Sequence, residues 1–189
     1  MAIDTSDFKT GMCIYLDGDV YQLIEFQHVK PGKGGAFVRT KLKRLKTGQV
    51  LEKTFRAGER IEPAFVEKRN LQFLYRTDDQ ITCMDMETFD QETYPVSLFG
   101  EAAKYLLEGM TVQALTADGE VIGLEVPTFV EQKVVETDPS FKGDTVSGGK
   151  PAKLESGAVV IVPFHINVGD VIKVDTRTDT YLERTQTAG

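Results

Sequence analysis

Short runs in which apolar and polar residues alternate, separated by Gly, Asp and Pro turn signals, fill this chain. Residues 12–16 and 20–26 flank Asp17-Gly18-Asp19, where Gly18 can take a positive φ, and predict a hairpin. Residues 27–29 then lead into Lys30-Pro31-Gly32-Lys33-Gly34-Gly35. Beyond that, Phe37, Arg39, Lys41 and Lys43 alternate with Val38, Thr40, Leu42 and Arg44. This predicts a second hairpin with a long, glycine-rich tip. Thr47-Gly48 turns the chain into a strand over residues 50–55, and such closely spaced short strands predict a small SH3-like barrel.

Arg60-Ile61-Glu62-Pro63-Ala64 reads as a first junction. Residues 71–75, 81–86 and 111–115 predict strands, with Asp78-Asp79 and Asp118-Gly119 as turns. Residues 98–107 predict the one helix, with Ser97 to cap its first amides and Gly109 where a C-terminal glycine belongs. Strands with a short helix between the third and fourth suit an oligonucleotide/oligosaccharide-binding (OB) barrel. A second junction near Pro127 precedes strands at residues 130–135, 159–162, 171–174 and 181–184, with a loop over 138–153 rich in Gly, Pro, Ser and Thr. Gly119-Glu120-Val121-Ile122 and Gly169-Asp170-Val171-Ile172 look like one turn-into-strand device used twice. The expectation is an all-β chain of three small barrels: 1–64, 65–127 and 128–189.

Charge refines this picture. The net charge is −7, but residues 1–64 hold 11 Lys/Arg against 8 Asp/Glu, residues 65–127 hold 4 against 12, and residues 128–189 hold 7 against 9. In the first segment Lys30, Lys33, Arg39, Lys41, Lys43, Arg44, Lys46, Lys53 and Arg56 are interrupted only by Glu52. A basic face on an acidic protein orients it in the field of RNA phosphates; a solvated strand face is the plain alternative, and charge alone leaves both open. The start of the chain is polar, with no signal-peptide pattern, and no stretch approaches the ~20 apolar residues that span a bilayer. Cys13 and Cys83, far apart in apolar runs, read as reduced core residues of a cytoplasmic protein.

Catalytic patterns are poor. His28 and His165 lack ligand spacing, neither cysteine has a partner at metal or redox spacing, and no Gly-x-Ser-x-Gly elbow exists. Asp78, Asp79, Asp85, Glu87, Asp90 and Glu92 match no paired-carboxylate arrangement and read as a solvated face. The stretch at 143–150 approaches a phosphate-binding loop, but Gly149 displaces Lys150 by one position and Pro151 stands where Ser or Thr would meet magnesium. Neither a cofactor nor a metal is expected.

Lys33 is different because of its neighbours. Pro31 fixes φ on the way into the tip, and Gly32, Gly34 and Gly35 let the chain fold back without bulk. Lys33 is therefore the only long side chain at the end of a slender projection, able to meet a phosphate or ribose in a narrow cleft and open to a modifying enzyme. An ordinary hairpin tip with a solvated lysine is the alternative.

The run from Lys30-Pro31-Gly32-Lys33-Gly34-Gly35-Ala36 to Phe37-Val38-Arg39-Thr40-Lys41-Leu42-Lys43 resembles the first-domain signature of bacterial elongation factor P. Lys150-Pro151-Ala152-Lys153-Leu154-Glu155-Ser156-Gly157, Val162-Pro163-Phe164, Asn167-Val168-Gly169-Asp170 and Val174-Asp175-Thr176-Arg177-Thr178 resemble its third-domain signature. The resemblance covers essentially the whole chain. It implies a KOW-type SH3-like barrel followed by two OB barrels, arranged like the L of a transfer RNA. It also implies a non-enzymatic, monomeric translation factor that binds the 70S ribosome beside P-site peptidyl-tRNA when synthesis stalls at consecutive prolines. Lys33, within the tip Lys30, Pro31, Gly32, Gly34 and Gly35, matches the lysine that reaches the CCA end and is often extended by a modifying enzyme. Arg39, Lys41, Lys43 and Arg44 would form the RNA-contacting basic face. Gly143, Asp144, Thr145 and Gly148 match a loop near the E-site codon of the mRNA, and Tyr181 and Arg184 match positions near the anticodon stem. A general RNA-coating module and an enzyme are the competing readings; the absence of Trp and the acidic middle segment disfavour the first, and the absent catalytic spacing disfavours the second.

Overall fold

The computed structural model describes residues 2–139 and 148–189. Among the described residues sixteen strands carry the fold: β1 (Ile3–Asp4), β2 (Cys13–Leu16), β3 (Asp19–Val29), β4 (Phe37–Arg44), β5 (Val50–Arg56), β6 (Arg60–Ala64), β7 (Val66–Arg76), β8 (Gln80–Asp85), β9 (Gln91–Pro95), β10 (Thr111–Ala117), β11 (Glu120–Glu125), β12 (Phe129–Thr137), β13 (Lys150–Leu154), β14 (Val159–Val162), β15 (Val171–Asp175) and β16 (Thr180–Gln186). The protein is all-β, as its alternating pattern predicts.

The first sheet runs β1-β6-β2-β3-β4-β5. Its β2–β3 connection is the two-residue Asp17-Gly18 turn, with φ of 52° and 84°, which matches the right-handed twist of the flanking strands. The buried positions of β3 and β4, including Leu23, Val38 and Leu42, meet Phe8, Ile14, Phe55 and Ile61 in one core. The second sheet runs β11-β10-β7-β8-β9, and β12-β13-β14-β16-β15 form a closed barrel. Counted within each set, the sheet reads fifth-fourth-first-second-third and the closed barrel first-second-third-fifth-fourth; they share four neighbour pairs, and the barrel adds the third-fifth pair that closes it. In the barrel β12 pairs antiparallel with β15, and a parallel bridge from Ile161 to Thr180 joins β14 to β16. The described chain groups into two compact units, Met1–Arg69 with Ala114–Leu124, and Asn70–Gln113 with Glu125–Gly189.

Three local expectations are corrected. Residues 98–107 do not form an α-helix: the segment Val96–Tyr105 is two short 3₁₀ pieces broken at Gly100, whose φ of 59° and ψ of −140° no helix holds. Ser97 caps nothing, since Pro95 precedes the first turn with no side-chain cap, and Gly109 instead takes part in the next turn, its amide donating to the Phe73 carbonyl at 2.8 Å. Residues 150–153, expected at the end of a loop, belong to strand β13: Lys150, Ala152 and Leu154 are buried while Pro151 and Lys153 face outward. The two Gly-Glu/Asp-Val-Ile devices are not equivalent. Gly119 leads into the fifth strand of its sheet and Gly169 into the fourth strand of the barrel.

Candidate RNA-facing finger

The finger grows from the β3–β4 ladder. Pairing continues to Val29↔Phe37, and Ala57 donates to the Ala36 carbonyl at 3.1 Å, so the base is held on both sides. Beyond it, residues 30–35 are all exposed. Lys33 makes no hydrogen bond or ion pair among the described residues. Gly34 has φ 98°, a conformation that a side chain strains. Gly32 and Gly35 are not left-handed, and a Cβ built at either meets nothing within 4 Å. The fold itself therefore demands glycine at only one of the three tip positions.

Behind the tip, strand parity sorts the basic residues. Arg39, Lys41 and Lys43 share one face of β4, whereas Arg44 has the opposite parity. Lys41 stands between Glu25 of β3 and Glu52 of β5 and pairs with Glu25 at 3.3 Å, so its charge is largely compensated. Arg39 lies between Gln27 and Thr54, and its guanidinium sits over the Phe37 ring at 5.5 Å. Lys43 opposes Gln22 and Val50. Arg44 binds Asp19 at 2.5 Å, half-buried. Arg39 and Lys43 thus remain available to an anion, and Arg44 is committed to the sheet. Sequence reasoning could not see the compensation of Lys41, because a bulge between Leu23 and Glu25 sets which β3 residues it faces.

In the second compact unit, Gly148 and Tyr181 line a hollow with Ile161, Pro163 and Thr180. Gly149 passes so close to the Val162 backbone that a Cβ there would overlap the Val162 carbonyl. Arg184 lies elsewhere, 3.5 Å from the fully buried Asp170 carboxylate, which also accepts amides from Asn167 at 2.8 Å and Ala188 at 2.7 Å. Burial pushes that carboxyl up, but these amides and Arg184 outweigh it, and it titrates below its ordinary value. Gly143, Asp144 and Thr145 lie outside the described residues. Lys150, the lysine of the rejected phosphate loop, is buried and donates to the Asp138 carbonyl. Among the described residues no group of three His, Cys, Asp or Glu side chains could hold a metal ion, and no helix is long and apolar enough to cross a membrane.

The class defined by this architecture is a serial β-barrel protein whose KOW-like first domain carries a bare lysine finger. Residues 4–61 match the elongation factor P KOW-like domain, residues 66–124 its OB domain, and residues 130–184 its C-terminal domain. The chain belongs to the elongation factor P family of translation elongation factors. Elongation factor P of Pelotomaculum thermopropionicum is 56% identical over 183 residues, covering 96% of this chain and 99% of that one. Those of Carboxydothermus hydrogenoformans and Synechococcus elongatus are 55% and 53% identical with the same coverage. Among solved structures, eukaryotic translation initiation factor 5A from Methanococcus jannaschii superimposes with a TM-score of 0.54 at 22% identity, covering 66% of this chain and 93% of that one. An initiation factor eif-5a family protein from Naegleria fowleri reaches 0.50 at 16% identity, covering 67% and 95%. At these identities the likeness is one of fold.

Proposed function

We propose that this protein binds the 70S ribosome beside P-site peptidyl-tRNA and promotes peptide-bond formation on stalled polyproline sequences by setting Lys33 against the CCA end. One observation carries the reading: Gly32 and Gly35 have neither a positive φ nor a neighbour that would exclude a side chain, yet both are glycine. A slenderness that the fold does not require is explained by surroundings that a partner supplies. Crowded RNA is such a surrounding, and a compact ammonium is the group to meet it there.

The mechanism is positional. Proline is a poor nucleophile and donor, and a rigid nascent chain misaligns the reacting ends. Holding the CCA end in its reactive pose removes an orientational barrier, and about 3 kcal/mol of it equals roughly two orders of magnitude in rate. The ribosome performs the chemistry, so the factor works as a cytoplasmic, monomeric non-enzyme. The proposed domains are 1–64, 65–127 and 128–189. The tip is the substrate of a lysine-modifying enzyme, Arg39 and Lys43 lead the basic face, and the loop holding Gly143, Asp144, Thr145 and Gly148 lies near the E-site mRNA, with Tyr181 towards the anticodon stem.

The test is translation of a message with consecutive proline codons in a reconstituted system. Lys33→Ala is expected to keep its melting temperature and lose rescue. Full rescue by that variant defeats the proposal.

A further inference from the structure

The hairpin joining β8 to β9 breaks a local rule at its tip. Asp85 donates its amide to the Asp90 carbonyl, and the Phe89 amide returns to the Asp85 carbonyl, both at 2.8 Å. The Asp85 carboxylate accepts the amides of Glu87 at 2.8 Å and Thr88 at 3.2 Å, which fixes the turn. Its last residue takes left-handed backbone, with φ 64° at Phe89. Gly or Asn suits that position; a bulky side chain is strained there. The other non-glycine residues with positive φ, among those described, are Asp17, Asp118 and Asp179, whose short polar side chains tolerate it. Phe89 gains little compensation from packing, because it is 68% exposed; Met86, three residues earlier in the same turn, is 44% exposed. A large aromatic residue held where backbone physics disfavours it, and left in water, has its reason outside the fold.

Charge says what covers it. The tip and its flanks carry Asp85, Glu87, Asp90 and Glu92, while Asp78 and Asp79 stand at the other end of β8; the nearest cations are Lys68 and Arg69 on β7, beyond Asn70, whose carbonyl accepts the Met86 amide. Glu87 and Asp90 adjoin the ring in sequence, Glu92 follows on β9, and all three are exposed. Such a field repels nucleic-acid phosphates and draws in a basic surface. A rigid aromatic side chain among acidic residues has the make-up of an interface anchor, in which the ring fills a pocket and the charges steer and register the approach. We infer that the β8–β9 tip docks Phe89 into an apolar pocket on a lysine- and arginine-rich ribosomal protein. This rests on the ribosome being the partner and adds the kind of component met and the side chain that meets it. The attachment is opposite in chemistry to that of the lysine finger, apolar and acidic towards protein rather than cationic towards RNA.

Two measurements on the full chain with purified 70S ribosomes test this. Phe89→Asn relieves the backbone conflict, so it is expected to melt at or above the temperature of the unsubstituted protein while its ribosome affinity falls about tenfold or more. Phe89→Tyr is expected to bind as the unsubstituted protein does. With photoreactive benzoylphenylalanine in place of Phe89, the expected product is a nuclease-resistant adduct mapped to a basic region of an identified ribosomal protein. Unchanged affinity of Phe89→Asn, or adducts to RNA alone, overturns the inference and leaves the Lys33 reading standing. Loss of rescue by Lys33→Ala together with tight binding of both Phe89 variants separates the two in the same way. An unsubstituted protein that binds no ribosome defeats both.

Discussion

The Tyr105 hydroxyl donates to Asp179 Oδ1 at 2.6 Å, and Lys104 reaches Oδ2 of the same carboxylate at 2.8 Å. Tyr105 is fully buried within the core of the closed barrel, although it precedes the first barrel strand by more than twenty residues. Its carbonyl accepts from Gln132 Nε2 at 2.9 Å, and the Ser156 hydroxyl holds Gln132 Oε1 at 2.5 Å. Asp179 sits in the β15–β16 turn with φ 57°. The segment Val96–Tyr105 is thereby pinned to the barrel by one ring, one carbonyl and one carboxylate.

Removing only the hydroxyl, Tyr105→Phe, leaves the ring in place and is expected to cost about 1–2 kcal/mol. Tyr105→Ala also opens a cavity and is expected to cost about 3–5 kcal/mol. Urea unfolding at neutral pH, followed by circular dichroism, measures both.

Burial, and then its bond to Asp179, pushes the Tyr105 phenol above its ordinary value. The bond to Asp118 leads in pushing Tyr15 up to about 12. Each phenol keeps its proton in the fold at pH values where the unfolded chain has lost it. Their contribution is complete below about pH 10 and is lost as pH rises through the folded values. Stability is therefore expected to decline from about pH 10 upward, and Tyr15→Phe and Tyr105→Phe to flatten the decline. At the other end, Asp179 is raised by burial but lowered more by Lys104 and Tyr105, and it titrates below its ordinary value, as Asp170 does. Their contribution is present above about pH 4 and is lost as pH falls through the folded values. Urea midpoints measured across pH check both limbs.

Gly32→Ala and Gly35→Ala are expected to leave stability unchanged or raise it by up to about 1 kcal/mol, since both positions accept a Cβ. Both are expected to impair polyproline rescue. Gly34→Ala, at φ 98°, is expected to cost about 1 kcal/mol. Thermal melts set beside rescue assays separate the two demands on the finger.

Gly149→Ala places a Cβ against the Val162 carbonyl and at a φ of 86°. The expected cost is about 3 kcal/mol, seen in urea unfolding. Gly148→Ala meets no such neighbour and is expected to lose only about 1 kcal/mol, for its φ of 110°.

Features decided by neighbouring residues were legible in the sequence. Asp17-Gly18, the alternation along β4 and the glycine-rich tip all state their structure locally. Features decided at a distance were not. Ser97 and Gly109 punctuate a helix convincingly, but Gly100 between them takes a backbone that breaks it, and Tyr105 is drawn into a core formed by strands that come later in the chain. Pro151 hid β13, although an outward-facing proline costs a strand little at a position where its carbonyl still accepts the Thr137 hydroxyl at 2.9 Å. Of the basic face, the residues were visible and their worth was not, because Glu25, Glu52 and Asp19 reach Lys41 and Arg44 only through register.

The most direct measurement of the central claim uses a photoreactive group on residue 33 and ribosomes stalled at consecutive prolines with P-site tRNA labelled at its 3′ end. The account predicts covalent attachment to the terminal nucleotides of that tRNA, suppressed when the stall is released. Attachment only to protein, or to RNA remote from the 3′ end, would contradict it.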